Sequence, residues 1–165
     1  MSEKQVVLPP EVLAKIDSHT AKFPPERKRS AVIGALSIVQ HYNKGYLTTA
    51  LMDVVAEYLG LPEIMVYEVA SFYSMFETEP VGRNSISVCT NVSCMLRGAD
   101  EILRHIENRL GIKVGESTED GLFFLKREEE CLAACCGAPI MQINHKYYEN
   151  LTPDKIDEIL DKFQQ

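Results

Sequence analysis

The chain has 165 residues, of which 45% are hydrophobic and 25% charged, with a formal net charge of −7. That apolar content is enough to bury a core in one or two small domains and is not the composition of a disordered chain. The net negative charge excludes nucleic acid and anionic membrane as the main partner, because both reward clustered Lys and Arg.

No run of 18 apolar residues occurs, and Met1–Pro10 lacks both the apolar run of a signal peptide and the Arg/Ser bias of a transit peptide. The expected location is cytoplasmic, without membrane insertion.

Residues 1–80 read as helical throughout. Pro9-Pro10-Glu11 opens a helix to about Ala21, Phe23-Pro24-Pro25 breaks it, and Arg27 to Tyr42 carries Val32, Ala35, Leu36, Val39 and Tyr42 on one face. A turn at Gly45 precedes a third helix that Thr48 or Thr49 caps, with Leu51, Met52, Val55, Tyr58 and Leu59 as its stripe and Gly60 as its stop. Pro62 starts a fourth helix through Tyr73. The third and fourth helices have helix-turn-helix spacing, but no Lys or Arg lies between Lys44 and Arg83, and the would-be recognition helix offers Glu63 and Glu68. Those carboxylates would repel phosphates, so the pair is read as a protein-docking or capping unit.

Residues 84–165 change period. Ser85–Cys89 alternates as a strand, and Cys94 opens a helix with Leu96, Ala99, Ile102, Leu103, Ile106 and Leu110 inward and Gly111 as its stop. A second strand covers Gly121–Lys126. Pro139–Ile143 and Lys146–Tyr148 form a hairpin through Asn144-His145, and Thr152-Pro153 starts a last helix with Ile156, Ile159, Leu160 and Phe163 inward. The order βαβ then ββα is thioredoxin-like, and a right-handed crossover makes the first two strands parallel. The expected fold is therefore α+β: an N-terminal helical bundle over 1–80, then a thioredoxin-like α/β domain over 84–165.

All five cysteines lie in this second part. Cys89 and Cys94 enclose four residues; after 36 more come Cys131 and Cys135, which enclose three, with Cys136 adjacent. Each pair follows a predicted strand, so parallel neighbours would deliver both pairs to one end of a sheet. A structural zinc site usually has two residues inside each knuckle, whereas a four-residue gap is known in 2Fe-2S proteins, where each pair can hold its own iron. Disulfide exchange fits poorly, because redox-active dithiols enclose two residues. Clustered thiols fit a metal centre in a reducing compartment better than a secreted disulfide framework.

Several motifs in order carry a family likeness. Tyr67–Phe76, Glu79-Pro-Val-Gly82, Val88–Cys94 with Leu96-Arg-Gly98, and Glu130–Cys135 with Ala138-Pro139 resemble the thioredoxin-like 2Fe-2S subunit of NADH:quinone oxidoreductase, respiratory complex I. The likeness runs from about Pro25 to Phe163. It implies one 2Fe-2S cluster on Cys89, Cys94, Cys131 and Cys135, and docking on a flavin- and NADH-binding subunit with which the cluster exchanges electrons. It implies peripheral attachment to the membrane through the assembled complex. Equivalent subunits serve NAD-linked hydrogenases and formate dehydrogenases, and a zinc-stapled interaction module is the non-redox alternative. The sequence departs from the family pattern at Ala133, where glycine is expected, and at Cys136, where a cysteine is not.

No Gly-rich phosphate loop or nucleophile elbow is present, so this chain has no sign of its own NADH, flavin or substrate site, and no catalytic residue is assigned. The amides around Ser93, Ala134 and Gly137 and the helix start at Cys94 are the expected donors to cluster sulfur. His19, His41, His105 and His145 read as surface or packing residues, Met65, Met75 and Met141 as core filler, and Glu128–Glu130 as a solvated acidic run.

Overall fold

The structure is a computed structural model that describes residues 6–126 and 131–164, so the acidic run Glu128–Glu130 lies outside the described residues. The chain divides into two compact units between Pro80 and Val81.

In the first unit, α1 (Pro10–Thr20), α2 (Val32–Tyr42), α3 (Thr49–Leu59) and α4 (Glu63–Phe72) bury one apolar stripe each. Ile16, Leu36, Val39, Leu47, Val55 and Val66 are at most 1% exposed in that shared core. The expected helix over Arg27–Tyr42 is in fact two pieces: Pro25–Ala31 is 3-10, with Arg27 off the helical region at φ −113°, and α2 begins only at Val32. Arg27, Lys28 and Arg29 explain this, because three cations in a first turn oppose the positive end of the helix dipole. Thr48 is the cap of α3, accepting from the Leu51 N–H at 3.3 Å, and Gly60 ends that helix in the left-handed region at φ +66°. Tyr58 lies at the rim of the core, where its hydroxyl donates to Asp17 at 2.7 Å.

In the second unit, β1 (Asn84–Val88) is followed by α5 (Val92–Met95), α6 (Ala99–Leu110), β2 (Phe123–Leu125), β3 (Met141–Ile143), β4 (Lys146–Tyr148) and α7 (Pro153–Asp161). The sheet order is β2-β1-β3-β4, with β1 parallel to β2 and antiparallel to β3; Ile86 pairs with Leu125 on one side and Ile143 on the other. The hairpin turns through Asn144 and His145, both at positive φ, as a tight two-residue connection requires. Ile102 and Ile106 of α6 and Ile156, Ile159 and Leu160 of α7 pack with the strand residues in a single core. At the surface, Arg109 reaches Asp161 at 2.8 Å and Asp157 at 3.4 Å, and His105 lies 3.0 Å from Asp157, tying α6 to α7.

Gly82 marks a close approach. A β-carbon there would lie 2.4 Å from the Phe123 backbone, so only glycine lets the chain enter β1 alongside β2.

The long helix expected from Cys94 to Leu110 is broken. Gly98, at φ +90°, separates α5 from α6, and Leu96 is 77% exposed instead of inward. Apolar spacing alone is blind to such a break.

Candidate metal centre

Cys89 comes directly after the last residue of β1, and Cys94 lies inside α5. The extended Asn91 starts that helix, its carbonyl accepting from the Met95 N–H at 2.9 Å. Cys89 is 2% exposed and Cys94 1%, packed with Ala99, Ala138 and Ile140 in a small core of their own. Sheet pairing brings Ile140 here: its carbonyl accepts from the Cys89 N–H at 3.2 Å, one step beyond the β1–β3 register.

Cys131 and Cys135 are exposed, the first on irregular backbone and the second at the start of a single 3-10 turn. Ala133 between them has φ +58°. That left-handed conformation costs a side-chain-bearing residue about 1 kcal/mol, which gives the glycine of the resembled pattern a physical reason. Cys135–Gly137 is one turn of 3-10 helix, in which the Gly137 N–H donates to the Ala134 carbonyl at 3.0 Å. Gly137 is among the expected donors to cluster sulfur; its amide is engaged in the turn instead.

Sulfur electrostatics tie the two pairs together. Burial pushes the Cys89 thiol up, but hydrogen bonding from the Leu132 and Asn91 amides and from the Cys94 and Cys131 thiols outweighs it and holds the group below the ordinary thiol range. Cys94 is pushed up to about 11 by burial and by the hydrogen bond and charge of Cys89, against the opposing pull of the Ile140 N–H. Of the two adjacent cysteines, Cys135 is the one whose negative charge also bears on Cys94. The four thiols thus bear on one another's ionisation, Cys94 and Cys131 on Cys89, and Cys89 and Cys135 on Cys94. The amide donors of Asn91, Leu132 and Ile140 are not among those expected from the sequence; only Asn91, in the position of a helix cap, carries a local signal.

These residues suit a two-iron group. Among the described residues, no three His, Cys, Asp or Glu side chains are gathered as a metal site, so the fit rests on the donor set and its spacing. Four thiols arranged as two linked pairs, with amides aimed at sulfur, fit an elongated sulfide-bridged cluster better than a single zinc. The histidines contribute nothing here: His19 packs edge-on against Phe23, His105 pairs with Asp157, and His41 and His145 are exposed.

Comparison with known proteins agrees. The family model described as thioredoxin-like 2Fe-2S ferredoxin matches residues 16–164. A NADH-quinone oxidoreductase subunit of Rickettsia bellii is 49% identical over 141 residues, covering 86% of this chain and 84% of that protein. The mitochondrial NADH dehydrogenase (ubiquinone) flavoprotein 2 of Dictyostelium discoideum is 43% identical over 152 residues, covering 92% of this chain and 61% of that protein. Among solved structures, an NAD+-reducing NiFe-hydrogenase in its air-oxidised state superposes with a TM-score of 0.67 at 25% identity, over 78% of this chain but only 22% of the hydrogenase chain. The chain belongs to the thioredoxin-like 2Fe-2S ferredoxin family, and its kin in Rickettsia are subunits of NADH-quinone oxidoreductase.

Proposed function

We propose that this chain is the electron-transfer subunit of an NADH:quinone oxidoreductase, holding one 2Fe-2S cluster on Cys89, Cys94, Cys131 and Cys135 and exchanging single electrons with flavin on a separate NADH-binding subunit. The observation that carries the reading is the linked pair of thiol pairs, one buried beside β1 and one exposed. When bound, the cluster supplies a store for one electron. The protein's own residues set the conditions for that store. Cys89 and Cys94, with Ile140 and Ala138 around them, exclude water from one edge. The amides of Asn91, Leu132 and Ile140 offset negative charge on sulfur, which favours accepting an electron. The exposed Cys131 and Cys135 form the edge that a partner can approach.

The helical unit, residues 1–80, would serve in docking, and the 84–165 unit in electron transfer. No described helix is long and apolar enough to cross a membrane, so attachment to one would run through the other subunits. The likeness to the hydrogenase favours a second reading, the equivalent subunit of an NAD-linked hydrogenase.

Anaerobic purification tests the cluster. A coloured protein with about two irons and two acid-labile sulfides per chain, and a paramagnetic signal on reduction, is expected. Colourless protein with stoichiometric zinc would overturn the proposal. Co-purification with a quinone-reducing or a hydrogen-oxidising assembly decides between the two hosts.

A further inference from the structure

We infer that the C-terminal end of α4 is a docking face built to insert Phe72 into an apolar pocket fringed with Lys and Arg on a protein partner. The inference rests on the subunit reading above and specifies its partner surface. Ile64, Glu68 and Phe72 recur at four-residue intervals on the outer face of α4, and Ile64 is 60% and Phe72 80% exposed. An aromatic ring so open at a helix end adds little to the core of its own unit, and aromatic residues are the commonest anchors of protein interfaces.

The ring is also held in position. Tyr73 meets it edge-on, with centroids 5.1 Å apart. The segment after α4 is clamped to α2 by both ends of one amide: Gln40 donates to the Met75 carbonyl at 3.0 Å and accepts from the Glu77 N–H at 2.8 Å. The Leu47 N–H adds a bond to the Glu77 carbonyl at 2.7 Å. That clamp turns Phe76 into the core and leaves Met75 48% exposed, although Met75 reads as core filler in the sequence. A fixed apolar knob loses little conformational entropy on binding, so the arrangement is preorganised for a partner. Beside the knob, Arg29, Glu68, Val69, Ser71 and Tyr73 shape, with Phe72, an open groove of about 540 Å³, and Arg29 and Glu68 approach to 3.8 Å across it.

Charge selects the occupant. From Gly45 to Gly82 the chain carries six carboxylates, on Asp53, Glu57, Glu63, Glu68, Glu77 and Glu79, and no Lys, Arg or His, and the one cation lining the groove, Arg29, is already paired with Glu68. An acidic surround disfavours nucleic acid and an anionic membrane, and it disfavours a second copy of this chain too, since a two-fold contact would set this face against itself. A basic-rimmed protein surface is the complement that remains.

The test uses the full chain co-expressed with the other subunits of the NADH-oxidising assembly. Phe72→Asp should retain iron and the reduced-state paramagnetic signal yet join the assembly at least about tenfold more weakly. Glu63→Gln with Glu68→Gln should slow association and flatten its dependence on salt, with the cluster again unchanged. Assembly of Phe72→Asp as tight as that of the unsubstituted chain would overturn the inference. Self-association of the isolated chain that Phe72→Asp abolishes would also overturn it, in favour of a second copy. Failure of the unsubstituted, iron-loaded chain to join any such assembly would instead bring down the subunit reading, and this partner with it.

Discussion

The two cysteine pairs proposed to share one cluster have opposite supports. Cys89 and Cys94 are set by regular structure, the end of a strand and a short helix, and are almost wholly buried. Cys131 is carried by irregular backbone and Cys135 by a single 3-10 turn, with a left-handed alanine between them, and both are exposed. A buried ligand fixed by a strand cannot be replaced by a neighbour, because the surrounding core leaves no room to rotate the backbone. An exposed ligand on a single 3-10 turn can. The difference divides the proposed site into a rigid, buried edge and an adaptable, exposed edge.

The largest effects should come from the rigid edge. Replacing Cys89 or Cys94 by serine exchanges a soft thiolate for a harder, weaker ligand where no other sulfur can move in, so most of the iron should be lost. Cys131→Ser should also lose it, since Cys131 is the exposed thiol that bears on the ionisation of Cys89. Iron content and the reduced-state paramagnetic spectrum measure this, and a variant at any of the three with both unaltered would remove that residue from the site.

Cys135 is expected to behave differently. Its neighbour Cys136 shares the same turn, and consecutive α-carbons are only about 3.8 Å apart, so a modest rotation exchanges one sulfur for the other. Cys135→Ser should therefore keep a spectrally shifted cluster at reduced iron content, while Cys136→Ser should stay near native. Loss of the cluster in Cys136→Ser with a native signal in Cys135→Ser would reverse the assignment and make the four-residue gap from 131 to 136 the ligating one.

The packing beneath the two edges should differ in the same sense. Ile140 is 1% exposed against Cys89 and Cys94, so Ile140→Ala leaves a cavity and should cost about 2–5 kcal/mol. Leu132, half-buried between Cys131 and Ala133, should cost about 1 kcal/mol or less as alanine. Thermal or urea unfolding of the two variants under identical loading gives the comparison, and equal losses would show that the exposed edge is packed as firmly as the buried one.

Much of this is legible in the sequence, for identifiable reasons. Strongly periodic stripes such as Ile102–Ile106 and Ile156–Leu160, the Thr48 and Thr152 caps and the Asn144-His145 turn are local signals, and each falls where spacing places it. The cysteine spacing by itself points to a paired-ligand centre. What stays hidden depends on non-local structure or on a single dihedral. Leu96 matches a helical stripe but is turned outward because Gly98 takes a left-handed conformation. Met75 looks like core until the Gln40 clamp turns it out. The Ile140 amide reaches Cys94 only because β3 pairs with β1, a contact between residues 46 apart in the chain.

The smallest expected effect concerns the strand that precedes the adaptable edge. Asp120 stands in the turn before β2, where it accepts from the Thr118 hydroxyl at 2.5 Å and from the Leu122 N–H at 2.9 Å. Those two bonds, the hydroxyl's first, hold its carboxyl below the ordinary value of 3.8 in spite of slight desolvation. A carboxylate with a depressed folded-state pKa stabilises the fold above its unfolded value, and that contribution disappears as pH falls through the folded value. The turn should therefore be fully supported above about pH 5 and should loosen below about pH 4, while β1 and the buried pair keep their order. Asp120→Asn should remove the pH dependence by removing the charge. Amide hydrogen exchange at Leu122 and Phe123, compared with Ile86 and Val88 at several pH values and corrected for intrinsic rates, measures it. Equal loosening of β1 and β2 in acid would mean that the two strands open as one unit, and that the adaptability of the second pair begins only beyond β2.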